Sequence, residues 1–200
     1  MLKLFAIFLF TISGWKLQGE MPANIKKSIV VGAPHTSNFD LIFAMAGFYK
    51  MKLPIRFLIK KDWLRYFPLR NILLSAGALG IDRSKNNTMV DSLVELIKTS
   101  DQKMAVLITP EGTRKRVCKW KTGFYHAALH AKVPIFLAHL DYSKKLAVLG
   151  PHFMPTGCYK SDMEIVKNHY KDVVPKYPEN FCLDIYEDED GVEENKVCRS

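Results

Sequence analysis

The sequence lacks the short motifs that identify several common reaction classes. It contains no G-x-S-x-G elbow, no P-loop, no glycine-rich dinucleotide turn and no H-E-x-x-H or other zinc-ligand spacing. Hydrolase, nucleoside triphosphatase, dehydrogenase and metalloenzyme interpretations therefore have no support, and neither a bound cofactor nor a metal is predicted. No segment of the chain repeats, which excludes a repeat architecture.

Cysteine is scarce and widely spaced. The four cysteines, Cys118, Cys158, Cys182 and Cys198, include no C-x-x-C pair. This spacing argues against a zinc ribbon and a dense disulfide framework, so a reducing compartment is predicted. A length of 200 residues with 48% apolar content predicts one domain with a real core.

Acidic residues are few outside the C-terminus. Residues 1–178 hold twelve acids against twenty-seven bases, a net charge of +15, whereas residues 179–200 hold the other eight acids. A body this basic predicts an anionic partner, either a membrane surface or a phosphorylated substrate. Nucleic acid would also fit the charge, but no recognisable nucleic-acid-binding motif is present, and none is predicted as a partner. The acidic tail is predicted to be disordered.

No apolar run reaches the roughly 20 residues that a helix needs to cross a bilayer. Residues 1–14 are almost wholly apolar, with a single Lys3 and no A-x-A-like cleavage site, which makes a poor secretory signal. Two alternatives remain, a helix in the membrane interface and an apolar helix packed on the domain. The aromatic residues of this region favour membrane contact: Phe5, Phe8, Phe10 and Trp15.

The rest of the chain alternates strand patterns with helix patterns. Short apolar runs predict strands at 28–34, 55–60, 104–109, 133–140 and 146–150. Helices are predicted at 40–50, 88–97 and 122–131. The sequence thus predicts a single α/β domain with a mostly parallel central sheet flanked by helices. Its predicted extent is 21–178, between a membrane-associating segment at 1–20 and the tail at 179–200.

Two polar segments follow predicted strands, where parallel sheets build their sites. The first, APHTSNFD (33–40), places His35 at a strand-to-helix junction and Asp40 in the first turn of the helix, which Ser37 or Asn38 can cap. The second is TPEGTR (109–114). Spacing alone leaves two interpretations of His35 and Asp40, a helix-entry pair and a catalytic pair.

Four segments together carry a family resemblance. APHTSNFD (33–40), GALGIDR (77–83), TPEGTR (109–114) and VPI (133–135) resemble, in order and spacing, the four sequence blocks of the glycerolipid acyltransferases. The resemblance covers residues 28–142 and implies an O-acyltransferase of phospholipid biosynthesis. Such an enzyme moves a fatty acyl chain from an acyl-CoA or acyl-ACP donor to the free hydroxyl of a lysophospholipid acceptor, with 1-acylglycerol 3-phosphate favoured.

The resemblance implies roles for seven residues. His35 is the general base and Asp40 its partner, and neutral imidazole has the pKa that removing a hydroxyl proton near neutral pH requires. Arginine suits phosphate because its planar donors match phosphate oxygens and keep their charge. The residues expected to bind the acceptor are Arg83, Glu111, Gly112, Thr113 and Arg114.

Two stretches rich in bases and aromatic residues, 60–70 and 114–128, have two interpretations each. They either contact anionic headgroups or donor phosphates, or place their aromatic residues in the core. Together these features predict a peripheral or monotopic protein on the cytoplasmic face of the cell membrane. The alternatives are an acyltransferase for another lysolipid or an amino-acid lipid hydroxyl, and a non-catalytic lipid-binding domain on the same fold.

Overall fold

A computed structural model describes residues 2–81 and 89–183, which form seven strands and six α-helices. The strands are β1 (Lys16–Gln18), β2 (Lys27–Gly32), β3 (Ile55–Lys60), β4 (Ala78–Ile81), β5 (Met104–Ile108), β6 (Ile135–Asp141) and β7 (Leu146–Phe153). The α-helices are α1 (Leu2–Ile12), α2 (Asn38–Lys50), α3 (Leu69–Ser75), α4 (Met89–Thr99), α5 (Gly123–Ala131) and α6 (Tyr159–Tyr170). Two short 3-10 helices span Lys61–Arg65 and Pro178–Asn180.

All seven strands join one sheet in the order β1-β7-β6-β2-β5-β3-β4. Neighbouring strands are parallel except for the antiparallel pair β6 and β7. A hairpin turn of a few residues joins that pair, whereas each parallel pair needs a crossover. The prediction of a mostly parallel sheet flanked by helices is confirmed.

Side chains of the central strands alternate between two buried faces of the sheet. On β2, Ile29 and Val31 join a core with helices α4, α5 and α6, whereas Val30 joins a second core with α2. We call the first side the packed face and the second the α2 face. The run of consecutive apolar residues Ile29 to Val31 follows from burial on both sides.

Helix α1 packs on α2 with one side and exposes the other. Ala6 and Phe10 are buried, and the Phe10 ring lies 6.1 Å from that of Trp15. The exposed side consists of large apolar residues: Leu4, Phe5, Phe8 and Ile12. The packed alternative therefore holds for one side of this helix, and the other side is exposed. Within the described part of the chain, no helix is long and apolar enough to cross a membrane.

The packed body extends past both predicted domain boundaries. Strand β1 joins the sheet within the segment predicted to be separate at 1–20. At the other end, the chain stays packed to residue 183, and Cys182 is disulfide-bonded to Cys118, although the predicted tail began at 179. Residues 184–200 lie outside the described residues.

The expectation of reduced cysteines is wrong for Cys118 and Cys182. They lie 64 residues apart in the sequence, yet their Cα atoms are 4.9 Å apart. The expectation depended on local spacing, which carries no information about pairs that tertiary folding brings together.

Candidate active site

Five residues connect the end of β2 to the start of α2, and this short loop sets the position of His35. Ser37 is the N-cap of α2, and its hydroxyl accepts the N–H of Phe39 at 3.1 Å. Asp40 is the third helical residue and completes a capping box by accepting the Ser37 N–H at 2.7 Å. A capping box fixes the direction in which the chain enters a helix. Asp40 therefore does both things that the two interpretations proposed: it lies at the start of the helix and it contacts His35.

Four donors converge on the Asp40 carboxylate. Oδ2 lies 3.3 Å from His35 Nδ1 and also accepts the N–H groups of Thr36 at 2.8 Å and Ser37 at 2.7 Å. Oδ1 accepts the Tyr142 hydroxyl at 2.6 Å. The carboxylate is thus held by the loop, the histidine and a residue at the far end of β6.

Burial and hydrogen bonding act in opposite directions on Asp40. Burial raises its pKa, whereas hydrogen bonds from His35, Tyr142 and the Ser37 backbone lower it. Together the hydrogen bonds outweigh burial, so the pKa of Asp40 lies below its ordinary value. The side chain of His35 is 19% exposed and that of Asp40 is 7% exposed. A substrate can therefore reach the imidazole, while the ionised carboxylate behind it stays shielded.

Glu111 links the two predicted segments directly. Its Oε2 accepts the backbone N–H of His35 at 2.8 Å, although the two residues lie 76 positions apart. Burial raises the pKa of Glu111 to about 7, against the lowering effect of the His35 N–H, and the nearby Asp40 charge raises it further. Glu111 therefore fixes the His35 backbone whether its carboxyl is protonated or ionised, since the carboxyl can accept in both forms.

The loop after β5 folds back over itself at Gly112. Gly112 has φ +66° and donates its N–H to the Thr109 carbonyl at 3.1 Å. A Cβ at this position would lie 2.8 Å from Nζ of Lys121, whose backbone N–H donates to the Pro110 carbonyl at 2.9 Å. The left-handed backbone thus favours glycine here, and a larger residue would displace the end of the Lys121 side chain.

A cavity of about 380 Å³ opens beside this loop and runs under α2. Its polar lining comes from the two loops, the first turn of α2 and β6, and it includes His35, Asp40, Arg114, Lys121 and His139. The remainder is largely apolar and comes from α2 and the α2 face of the sheet, including Leu41, Ala44, Phe48, Leu107 and Leu149. One end of the cavity therefore suits an anion beside an acid-base pair, and the other suits a hydrocarbon chain.

The structure brings most of the predicted site residues together. His35, Asp40, Gly112 and Arg114 line the cavity, and Glu111 contacts the His35 backbone. Thr113 instead accepts the Lys115 N–H with its hydroxyl at 3.2 Å. Arg83 lies outside the described residues.

The two basic-aromatic stretches differ in their packing. In 114–128, Trp120 and Phe124 are buried in the core, as the core interpretation predicted, whereas Lys121 lines the cavity. In 60–70, Tyr66 and Phe67 are exposed.

Sequence reasoning missed Tyr142, the residue that contacts Asp40 from the far side. It lies 102 positions from Asp40 and belongs to no recognised block. It does directly follow a strand, and the rule that loops after parallel strands build the site was the one signal that could have indicated it.

Known proteins show which family the chain resembles. The model of the Acyltransferase family matches residues 15–137. A probable 1-acyl-sn-glycerol-3-phosphate acyltransferase of Mycoplasma pneumoniae is 30% identical over 157 residues, covering 72% of this chain and 58% of that protein. A 1-acyl-sn-glycerol-3-phosphate acyltransferase of Haemophilus influenzae is 27% identical over 135 residues, covering 64% of this chain and 54% of the relative.

The fold also has a solved counterpart. The crystal structure of the 1-acyl-sn-glycerophosphate acyltransferase PlsC from Thermotoga maritima aligns with a TM-score of 0.58 and 17% identity, over 88% of this chain and 80% of that one. The α/β fold is thus shared with that structure. The chain belongs to the Acyltransferase family. It spans little more than half the length of the two bacterial relatives, 58% and 54%.

Proposed function

We propose that this protein transfers a fatty acyl chain from an acyl-CoA or acyl-ACP thioester to the free hydroxyl of a lysophospholipid, with 1-acylglycerol 3-phosphate as the acceptor. The observation that carries the proposal is the His35–Asp40 pair, at 3.3 Å, in the wall of a cavity that is cationic at this end and apolar beyond it. The names of the relatives support the choice of acceptor.

In the proposed reaction, His35 acts as general base. With Nδ1 directed at Asp40, Nε2 takes the proton of the acceptor hydroxyl as its oxygen attacks the thioester carbonyl. The new C–O bond forms, the C–S bond of the tetrahedral intermediate breaks, and the departing thiolate takes the proton back from the imidazolium. Asp40 stabilises that imidazolium, and no acyl-enzyme is needed.

Arg114 and Lys121 are proposed to bind the acceptor's phosphate. Both line the cavity, and Gly112 leaves the space in which the lysine side chain lies against the turn. Guanidinium offers paired donors to phosphate oxygens, and the lysine adds a second positive charge. Arg83 keeps its predicted role as a further phosphate ligand, and Glu111 would act by fixing the loop that carries His35.

The exposed side of α1 is proposed to lie in the membrane interface. Leu4 is 73% exposed, Phe5 and Phe8 are each 58% exposed and Ile12 is 62% exposed, all on a helix whose other side packs on α2. An amphipathic helix of this kind buries its apolar side at the boundary of the headgroups. We do not assign this surface to the cytoplasmic face of a membrane, because disulfides such as Cys118–Cys182 persist in oxidising compartments.

The test of the reaction is acyl transfer by the purified, detergent-solubilised protein. A labelled long-chain acyl-CoA or acyl-ACP is incubated with a panel of lysolipids, and products are resolved by mass. We expect phosphatidic acid from lysophosphatidic acid, lost in His35→Ala and retained in His152→Ala, which changes an exposed histidine. Another preferred acceptor would contradict the choice of substrate. No product from a folded protein would favour the lipid-binding alternative.

The test of the membrane surface is sedimentation with vesicles of phosphatidylcholine and phosphatidylglycerol. The double variant Phe5→Ser, Phe8→Ser should lose vesicle binding, because the interface would receive two hydroxyls in place of two rings. Ile165→Ser is the control, since Ile165 is an exposed apolar residue on α6. Equal binding by all three proteins would contradict an interfacial role for α1.

A further inference from the structure

Tyr142 follows β6 and reaches the back of the candidate site. Its hydroxyl donates to Oδ1 of Asp40 at 2.6 Å, within the range for a hydroxyl bound to an ionised carboxylate. The other carboxylate oxygen, Oδ2, is the one that faces His35 at 3.3 Å. The tyrosine therefore contacts the aspartate on the oxygen that the histidine does not use.

The ring of Tyr142 is fixed by two separate parts of the chain. It packs edge-on against Trp15 with centroids 5.0 Å apart, and against Phe43 of α2 at 6.4 Å. Its backbone N–H donates to the Val174 carbonyl at 2.9 Å. A hydroxyl held from this many sides has little freedom to leave Asp40, so the bond constrains the carboxylate.

We infer that Tyr142 is a positioning residue for acyl transfer, whose hydroxyl holds the Asp40 carboxylate so that Oδ2 faces Nδ1 of His35. The inference rests on the proposed function. Tyr142 touches neither reacting group and acts only through Asp40. Rotation of the carboxylate about its Cβ–Cγ bond would take Oδ2 away from the imidazole, and a hydrogen bond to Oδ1 opposes that rotation.

Removing the Tyr142 hydroxyl also removes a donor that stabilises the ionised form of Asp40. Burial raises the Asp40 pKa, and the Tyr142 hydroxyl is among the donors that lower it, after that of His35. Burial raises the pKa of Tyr142 itself, and its bond to Asp40 raises it further, so the phenol stays a donor at every pH of interest. The other titratable groups acting on this pair are His35, Glu111 and Tyr177.

The chain contains a matched control for this bond. Tyr125 on α5 donates its hydroxyl to Oδ2 of Asp162 at 2.8 Å, and Asp162 is buried on α6. Both tyrosines are thus bound to a buried aspartate, but only the Tyr142 bond involves an aspartate that lines the cavity. Replacement of each tyrosine by phenylalanine removes the same group from two different places.

The experiment compares Tyr142→Phe and Tyr125→Phe in the acyl-transfer assay between pH 5 and pH 9. We expect Tyr142→Phe to lower kcat about tenfold with KM within about twofold, because the lost bond to a charged group acts after substrate binding. The acidic limb of its kcat profile should move to lower pH, because a carboxylate turned away from His35 stabilises the imidazolium less. Tyr125→Phe should lower the unfolding temperature and leave kcat and the profile unchanged. An unchanged kcat and profile in Tyr142→Phe would overturn the inference.

A double-mutant cycle separates positioning from packing. If Tyr142 acts through Asp40, the double variant Asp40→Asn, Tyr142→Phe should be no slower than Asp40→Asn alone. Additive losses would mean that the tyrosine acts elsewhere, and would overturn the inference.

Two NMR measurements keep the test independent of turnover. The carboxyl carbon of Asp40 should titrate at a higher pH in Tyr142→Phe than in the wild type, and an equal pKa would overturn the inference. If Tyr142→Phe does not fold, the hydroxyl proton of wild-type Tyr142 is observed instead, and it should move upfield in Asp40→Asn. An unmoved resonance would overturn the inference. A wild type that transfers no acyl chain contradicts the proposed function, and these titrations still decide whether Tyr142 holds Asp40.

Discussion

The two faces of the sheet are built from the same strands and differ in what packs on them. The packed face is filled by α4, α5 and α6 over a continuous core that includes Leu93, Ile97 and Met163. The α2 face has a smaller core, and a cavity of about 380 Å³ runs beside it. A cavity forfeits packing contacts, so the α2 face is less favourable to stability and the packed face has to supply more of it.

Two histidines that line the cavity, His35 and His139, have different partners. His35, in the cavity wall, faces a carboxylate at 3.3 Å. Towards α6, Nδ1 of His139 lies 2.9 Å from Nε2 of His169. The first arrangement favours a charged imidazole during a reaction, whereas the second favours neutral rings, since two protonated imidazoles would repel each other. One pair suits proton transfer, and the other suits a half-buried place in which both rings stay neutral.

The largest effect is expected from a cavity on the packed face. Leu93 on α4 is 1% exposed, and Leu93→Ala should lower the free energy of unfolding by about 2 to 5 kcal/mol. KM for both substrates should change little, because Leu93 does not line the described cavity. Urea unfolding and acyl-transfer kinetics test this, with the exposed Glu95→Ala on the same helix as control. A large rise in KM would show that the packed face also contributes to substrate binding.

Local patterns predicted the elements that matter for the site. The apolar run at 55–60 is β3 without a shift in its bounds, and the N-cap at Ser37 is confirmed. Patterns failed where the signal is short or weak. Strands β1 and β4 have three and four residues, too few for a period of two to show. Helix α6 has four buried residues among many polar ones and was not predicted.

The candidate site was predictable only where motif residues follow strands. The position of His35 and Asp40 after a strand indicated a possible site, the family resemblance supplied their roles and that of Arg114, and all three line one cavity. The contacts of Glu111 with His35 and of Tyr142 with Asp40 depend on which strands are neighbours. Strand order is set by long-range packing, so β2 lying between β5 and β6 could not be derived from local composition.

A medium effect is expected from the half-buried pair of His139 and His169 when the pH falls. Burial and the neighbouring His169 lower the pKa of His139 to about 4, whereas an unfolded histidine titrates near 6.5. Between these values the unfolded chain binds more protons, so stability falls as the pH falls. From pH 7.5 to pH 5 the loss due to His139 should be about 2 kcal/mol.

That loss is measured as a difference between proteins. Glu111, with a pKa raised to about 7, acts in the opposite direction, because its folded form binds a proton that the unfolded form has released. The wild type and His139→Gln are therefore unfolded in urea at both pH values. The difference between their free energies of unfolding should shift in favour of His139→Gln at pH 5. The exposed His152→Gln variant should follow the wild type at both pH values. A difference independent of pH would contradict a neutral, half-buried pair.

The smallest effect is expected from partly filling the cavity on the α2 face. Ala44 on α2 lines the cavity, and Ala44→Leu adds three carbons to its wall. If the acyl chain occupies the apolar end, the variant should lose about tenfold in kcat/KM for long-chain donors relative to short-chain ones, since about 1 to 3 kcal/mol attaches to a methylene in a hydrophobic pocket. The short-chain donor is the internal control, because it should not reach the new side chain. Equal losses of kcat/KM for all chain lengths would mean that the substitution disturbs α2 as a whole. They would contradict binding of the acyl chain in the apolar end of the cavity.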